Sequence, residues 1–304
     1  MKKAIALLLA LAVLLLSASA LAESPAETLV ASAESLLFNT SNVTLSGSAV
    51  FFLDDVVFKT ADATCIQDQD RSFWQLKLTS PRPENPEKGD LVSGFTIIGI
   101  DSSVWVMETM NPGYYKTATA YPQTTLLRRS VQLDLMTALV RDLAKQSDTL
   151  LGEGAVTAAP DAQGGTEIRI VADENVSDLV NTAITLLYQY AASRYFGVEY
   201  DQISTRYMSS LSNYISVTQG ILYTTEYMYL KQADVTVSLD AAGELRSVSG
   251  AASVYLQTGG DGEHTLDVTF RLDVSDRGTS KVEAFDPEVY GVVPANEFSM
   301  PENW

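Results

Sequence analysis

Thr265-Leu266-Asp267-Val268-Thr269-Phe270-Arg271-Leu272-Asp273-Val274 is the stretch that decides the fold. Every second residue is apolar, and the residues between them are threonine, aspartate or arginine. Side chains alternate across a strand, so this pattern is a strand with one face on a core and the other in water. A helix would place its apolar residues three and four apart. A half-wetted strand belongs to an antiparallel sheet, and its apolar face needs a cover.

The same period runs outward in both directions. Val248, Ala252, Val254 and Leu256 share a face of the preceding strand, and Val235, Val237 and Leu239 alternate ahead of the turn at Asp240–Gly243. Far upstream, Val43, Leu45, Gly47, Ala49, Phe51 and Leu53 alternate up to a tight turn at Asp54-Asp55. A return strand runs from Val56 to about Gln67, and Asp68–Arg71 turns again. The third strand, Phe73 to Thr79, puts Trp74, Leu76 and Leu78 on one face. Further strands are predicted around 94–100 and 104–109, with a shorter piece near 114–118, as a meander. Gly152–Gly165 reads as a hairpin loop leading to a strand at Glu167–Val171.

The cover is helical. Ser24-Pro25-Ala26-Glu27 supplies an N-cap serine, a proline at the first helical position and a glutamate that completes a capping box. Leu127, Val131, Leu135, Leu139 and Leu143 predict a middle helix. A second spans about 177–196, apolar enough (Leu179, Val180, Ile184, Leu186, Leu187) to be buried on two sides. Asp201 caps a third, carrying Tyr207 and Tyr214. The expected fold is therefore α+β: a large, curved antiparallel sheet whose concave face is covered by two or three helices, with the helical middle at about 123–220.

Residues 1–22 have the form of a signal peptide. Lys2 and Lys3 precede the apolar run Ala4–Leu16, and Ala20-Leu21-Ala22 offers a cleavage site after Ala22. The apolar run is short for a membrane span of roughly 20 residues, and no cysteine lies there to carry a lipid. Residues 23–304 are expected as one exported domain, outside the cytoplasm and not integral to a membrane. Without the leader the net charge of −18 becomes −20, because the leader holds two lysines and no acid. Such a surface repels nucleic acid and anionic headgroups, so no nucleic-acid partner is expected. Cys65 is the only cysteine, so no intramolecular disulfide forms, and its strand position suits a buried, inert thiol. The short basic start, the cleavage site and the lack of disulfides together suggest a bacterial cell envelope.

Catalytic patterns are absent from this reading. His264 is the sole histidine, placed beside a glycine-rich turn at the start of an edge-like strand, and no G-x-S-x-G serine accompanies it. One histidine and one cysteine do not make a zinc site. Asp54-Asp55 and Asp68-Gln69-Asp70 do not continue into a calcium loop and read as turns. No cofactor, no metal and no enzymatic activity are expected.

Phe73-Trp74-Gln75-Leu76, a proline-bearing loop, then Ile98-Gly99-Ile100-Asp101-Ser102-Ser103-Val104-Trp105-Val106 and Asn111-Pro112 form a distinctive succession. Together with Leu239-Asp240-Ala241-Ala242-Gly243-Glu244-Leu245 at a later turn, it resembles the half-barrel superfamily of Lol-type lipoprotein carriers and their mycobacterial lipid-binding relatives. Pro81-Arg82-Pro83 stands in a different place relative to Trp74 than the carriers' Arg-Pro, so Arg82 takes no gating role by analogy. The resemblance implies a half-barrel with a concave apolar surface, holding a lipid or a lipoprotein acyl chain under its helices.

The residues nominated to line that hollow are Trp74, Trp105, Leu187, Tyr188, Tyr195, Tyr207 and Tyr214. Nine of the 14 tyrosines fall between Tyr188 and Tyr229, and tyrosine suits the mouth of a cavity that is apolar but not dry. The same residues equally suit a filled core. In that case the protein is an extracellular module that docks a protein or the envelope.

Overall fold

The computed structural model describes residues 24–81, 89–100, 103–108, 111–117, 124–127, 129, 131–185, 225–258 and 262–286. The leader with its Ala22 site, the second helix beyond residue 185 and the whole third helix lie outside them. No helix among the described residues is long and apolar enough to cross a membrane.

Eleven antiparallel strands form one open sheet: β1 (Asn42–Leu53), β2 (Val56–Asp68), β3 (Arg71–Ser80), β4 (Leu91–Ile100), β5 (Ser103–Glu108), β6 (Asn111–Thr117), β7 (Val156–Pro160), β8 (Thr166–Asp173), β9 (Thr225–Leu239), β10 (Leu245–Thr258) and β11 (Gly262–Ser275). Their order is β6-β5-β4-β3-β2-β1-β11-β10-β9-β8-β7. Each neighbour in the chain is a neighbour in the sheet within each half, as a meander requires. The halves are stitched where β11 pairs with β1, Leu45 facing Val274 and Leu53 facing Leu266. Asp54 and Asp55 both take positive φ, 49° and 66°, the type I′ geometry that matches the twist of its strands. His264 is half-buried on β11, between β10 and β1. The expected edge strand is therefore a central one.

Register divides the sheet into two unlike faces. One carries Val43, Leu45, Cys65, Trp74, Val235, Val237, Leu256 and Val274, all in the main core. Cys65 is fully buried there, between Leu45 and Trp74. The other face is wet and paired across β8–β11, while on β4 and β5 it holds the buried residues Ile98 and Trp105. Arg169 grips Asp234 through two bonds of 2.9 and 2.7 Å, and Arg271 grips Asp273 through two of 2.7 Å. Exposed pairs of this kind are screened by water and add little to stability; the buried face holds the fold together.

Among the described residues, four helical segments accompany the sheet. α1 (Pro25–Glu34) begins with the expected capping box: Ser24 Oγ accepts from the Glu27 amide, and Glu27 accepts from the Ser24 amide. It lies against β7, β8 and β10 and continues into a π-helical turn, Ser35–Asn39. α2 (Val131–Ala144) is the middle helix, and α3 (Ser147–Leu151) follows it. The fourfold leucine spacing in α2 does not give one buried face. Val131 is 76% and Leu135 67% exposed, whereas Ala144 is buried and Val140 packs beside it. Each residue turns the helix by about 100°, so positions twelve apart differ by about 120° and the stripe winds off the core. α4 occupies 178–185. Val180 and Ile184 are buried, but Leu179 is half-exposed at 50%, so this portion has one buried side rather than two.

α4 also completes the sheet. β8 stops pairing at Asp173 opposite Gln232, while β9 runs on toward Thr225. Beyond the last β8 pair, the Leu230 amide donates to Asn181 Oδ1 at 2.8 Å, and the Met228 amide to Thr185 Oγ1 at 3.0 Å. Thr185 returns its hydroxyl proton to the Met228 carbonyl at 2.9 Å. Helix side chains thus do at Met228 and Leu230 what the backbone of β8 does earlier along β9. Thr185→Val keeps the shape but orphans both Met228 groups, and is expected to cost about 1–3 kcal/mol. Thermal melts read the loss, and hydrogen exchange at the Met228 amide should quicken while Thr185→Ser stays near wild type.

After β11 the chain crosses the wet face as a strap. Asn42 holds Ser280 by two bonds, Asp68 accepts from the Val282 amide at 3.3 Å, and Phe285 reaches the Trp105 ring at 5.6 Å between centroids.

Candidate ligand-binding face

The apolar face is not uniformly dry. Under α1 it is closed: Ile168, Ile170, Val235, Val237, Leu239 and Leu245 on β8–β10 are almost entirely buried. Toward β2–β4 it loosens, and Leu76, Leu78, Phe95 and Ile97 are only half-buried against the same core. Between these regions the floor is shallow. Gly47 faces Ala63 and Ala49 faces Ala61 across β1 and β2. Leu76 and Leu78 flank this floor on β3, and Leu272 and Phe270 flank it on β11. Small residues between large ones make a trough along the strands, and the trough is closed: Ala49 is 3% and Ala61 7% exposed.

Lys59 stands at the end of that trough. It lies opposite Phe51, which belongs to the apolar set, and a bulge next to this pair brings Phe58 to 6.1 Å from Phe51, ring to ring. Burial pushes the Lys59 ammonium down from its usual pKa, because an apolar setting disfavours the charged form. The period of two along Lys59, Ala61, Ala63 and Cys65 puts Lys59 on their side, a placement readable in the sequence itself.

At the same rim, Asp54 Oδ1 accepts from the Thr265 amide at 2.9 Å and Oδ2 lies 2.7 Å from His264 Nδ1. The backbone amide first, then the imidazole, holds the Asp54 carboxyl below the usual carboxylate range. His264 Nε2 is buried without a hydrogen-bond partner. Among the described residues no group of three or more His, Cys, Asp or Glu side chains could hold a metal ion.

Of the residues nominated from the sequence, Trp74 is on the apolar face, paired with Cys65 and Ile97. Trp105 pairs with Ile98, itself opposite Phe73. Phe73 and Trp74 are consecutive on β3, so the two indoles project from opposite sides of the sheet. They belong to separate clusters, Trp105 with Ile98, Phe73, Met107 and Phe285 beneath the strap. The expectation that both line one hollow is corrected: Trp74 borders the trough side and Trp105 does not. Leu187, Tyr188, Tyr195, Tyr207 and Tyr214 lie outside the described residues.

A tyrosine cluster does occur, on the wet face. Tyr229 is 5.0 Å from Tyr255 and 6.2 Å from Tyr227, centroid to centroid, and Lys231 Nζ lies 5.1 Å over Tyr255. Tyr229 donates to Glu263. That bond to a carboxylate, with burial, pushes its pKa up to about 12.

No protein-family model matches this chain, and no curated protein matches it.

Proposed function

We propose that the protein is an exported, non-enzymatic carrier or sensor that holds a hydrophobic ligand, a lipid or an acyl chain, between the sheet and its helices. The observation that carries this reading is the uneven burial of one continuous apolar face. It is tight under α1 and over the small-residue floor of β1 and β2, and half-buried at Leu76, Leu78, Phe95 and Ile97 on β3 and β4. Binding would draw on burial of ligand surface, about 25 cal/mol per Å² before ordering costs. The resemblance to Lol-type carriers and the export leader agree with a role at the envelope.

Native mass spectrometry of protein recovered from its own host tests this. The expected result is a stoichiometric lipid or acyl adduct. Protein that carries no adduct and takes up no added acyl compound overturns the proposal.

A second reading, an extracellular interaction module, is favoured by the tyrosine cluster on the wet face, since aromatic rings are enriched where proteins meet. A pull-down from the host envelope that recovers a protein lost on Tyr229→Ala would support it instead.

A further inference from the structure

The wet face of β9–β11 is charge-matched at one end and unmatched at the other. Toward the β9–β10 turn, Arg271 takes Asp273 and Arg169 of β8 takes Asp234, so the charges cancel in pairs. Toward the β10–β11 turn the face carries the half-buried rings of Tyr227, Tyr229 and Tyr255, with Glu263 and Asp267 on β11. Tyr255 faces Tyr229 across one ladder and Thr265 across the other. Glu263 and Asp267 stand two residues to either side of Thr265, so their strand positions are about 13 Å apart with the tyrosine row midway. Neither carboxylate has a lysine or arginine among the described residues within ion-pairing distance.

The parts of this patch favour a cation. Lys231 Nζ lies 5.1 Å over the Tyr255 ring, so the ring already receives an ammonium, as the negative face of an aromatic does. Ser253 shares the face, opposite Asp267 and Gln232; it is 2% exposed and its Oγ has no hydrogen-bond partner. A buried hydroxyl without a partner is costly, and an arriving donor beside Asp267 relieves it. Acids outnumber bases 38 to 20 in the whole chain, a field that steers basic partners in and repels anionic bilayers. A neutral glycan has no ionic use for two unmatched carboxylates. Tyrosine and arginine are both enriched where proteins meet.

We propose that this patch docks a basic segment of a partner protein, with an arginine on the tyrosine cluster and cationic side chains paired with Glu263 and Asp267. This rests on the interaction-module reading and names the partner's chemistry within it.

Fluorescence anisotropy with the full chain freed of its leader, at about 0.15 M salt, tests it. The labelled probes are a peptide alternating arginine with threonine, its glutamate counterpart, and cellohexaose. Only the arginine peptide should bind. Glu263→Gln with Asp267→Asn should weaken it at least about tenfold, and so should Tyr255→Leu. Glu153→Gln with Glu174→Gln removes the same charge from exposed turns and should stay within about twofold of wild type. Lys231→Gln, which removes a competing cation, should bind no more weakly than wild type. Circular dichroism checks the fold of each variant, and the exposed carboxylate pair decides the matter if Tyr255→Leu does not fold. Equal weakening by the two double variants would mean bulk attraction and overturns the patch, as does full binding by a folded Tyr255→Leu. Weaker binding by Lys231→Gln also overturns it. Tyr255-dependent binding of the glutamate peptide or of cellohexaose overturns the basic partner while leaving the docking reading intact. Binding of none of the three removes both.

Discussion

Trp74→Ala is expected to destabilise the fold by about 3–5 kcal/mol, the cost of deleting a buried indole and leaving its space. Trp74 is 4% exposed and sits in a row of apolar partners, Leu45, Cys65 and Ile97, that spans four strands. Chemical denaturation read by circular dichroism measures the loss. A milder pair, Trp74→Phe and Trp105→Phe, asks the geometric question. The two indoles share no cluster, so their costs should add to within about 0.5 kcal/mol. A coupling well above that would place both in one cavity and contradict the register.

Gly250→Ala is expected to cost about 2–4 kcal/mol, from overpacking and broken ladder bonds. A Cβ at this position would collide with the Asp234 carbonyl oxygen and stand 2.8 Å from Val235 Cα. Both are backbone, so no side-chain rotation relieves the clash. β9 and β10 would have to part where Val235 and Phe270 face Gly250 from either side. Ser249→Ala, one residue away on the wet face, should stay within about 0.5 kcal/mol. Equal stability of the two variants in the same denaturation assay would show that the strands approach less closely than the ladder requires.

Much of this fold was legible because a strand announces its own parity. The alternations at Val43–Leu53, Val235–Leu239 and Leu266–Val274 all survive as faces of real strands. Ser24 and Glu27 named a helix start from local chemistry alone, and the Asp54-Asp55 turn followed from its flanking apolar runs. What a sequence does not transmit is parity from one strand to another. Trp74 and Trp105 sit on strands separated by two connections whose residue count does not fix a register, so nothing before the structure could say that they face opposite ways. Thr185 and Asn181 were invisible for a related reason. A polar residue in an apolar helix looks like a blemish until the backbone of β9, over forty residues later, supplies its partners. Val131 and Leu135 were misjudged because a spacing of four approximates the helical period only over a short run. The side of β2 that Lys59 takes was readable from parity alone.

The position of β11 has a consequence for synthesis. A ribosome delivers β1 through β6 long before residue 262 exists, and that six-strand meander must wait with the β1 edge open over its whole length. Open edges invite pairing with other chains, and contacts spanning more than two hundred residues form slowly. Assembly is thus gated by the last strand made: nascent chains truncated before β11 should be the species that helper proteins hold, and full-length release should be the moment of commitment.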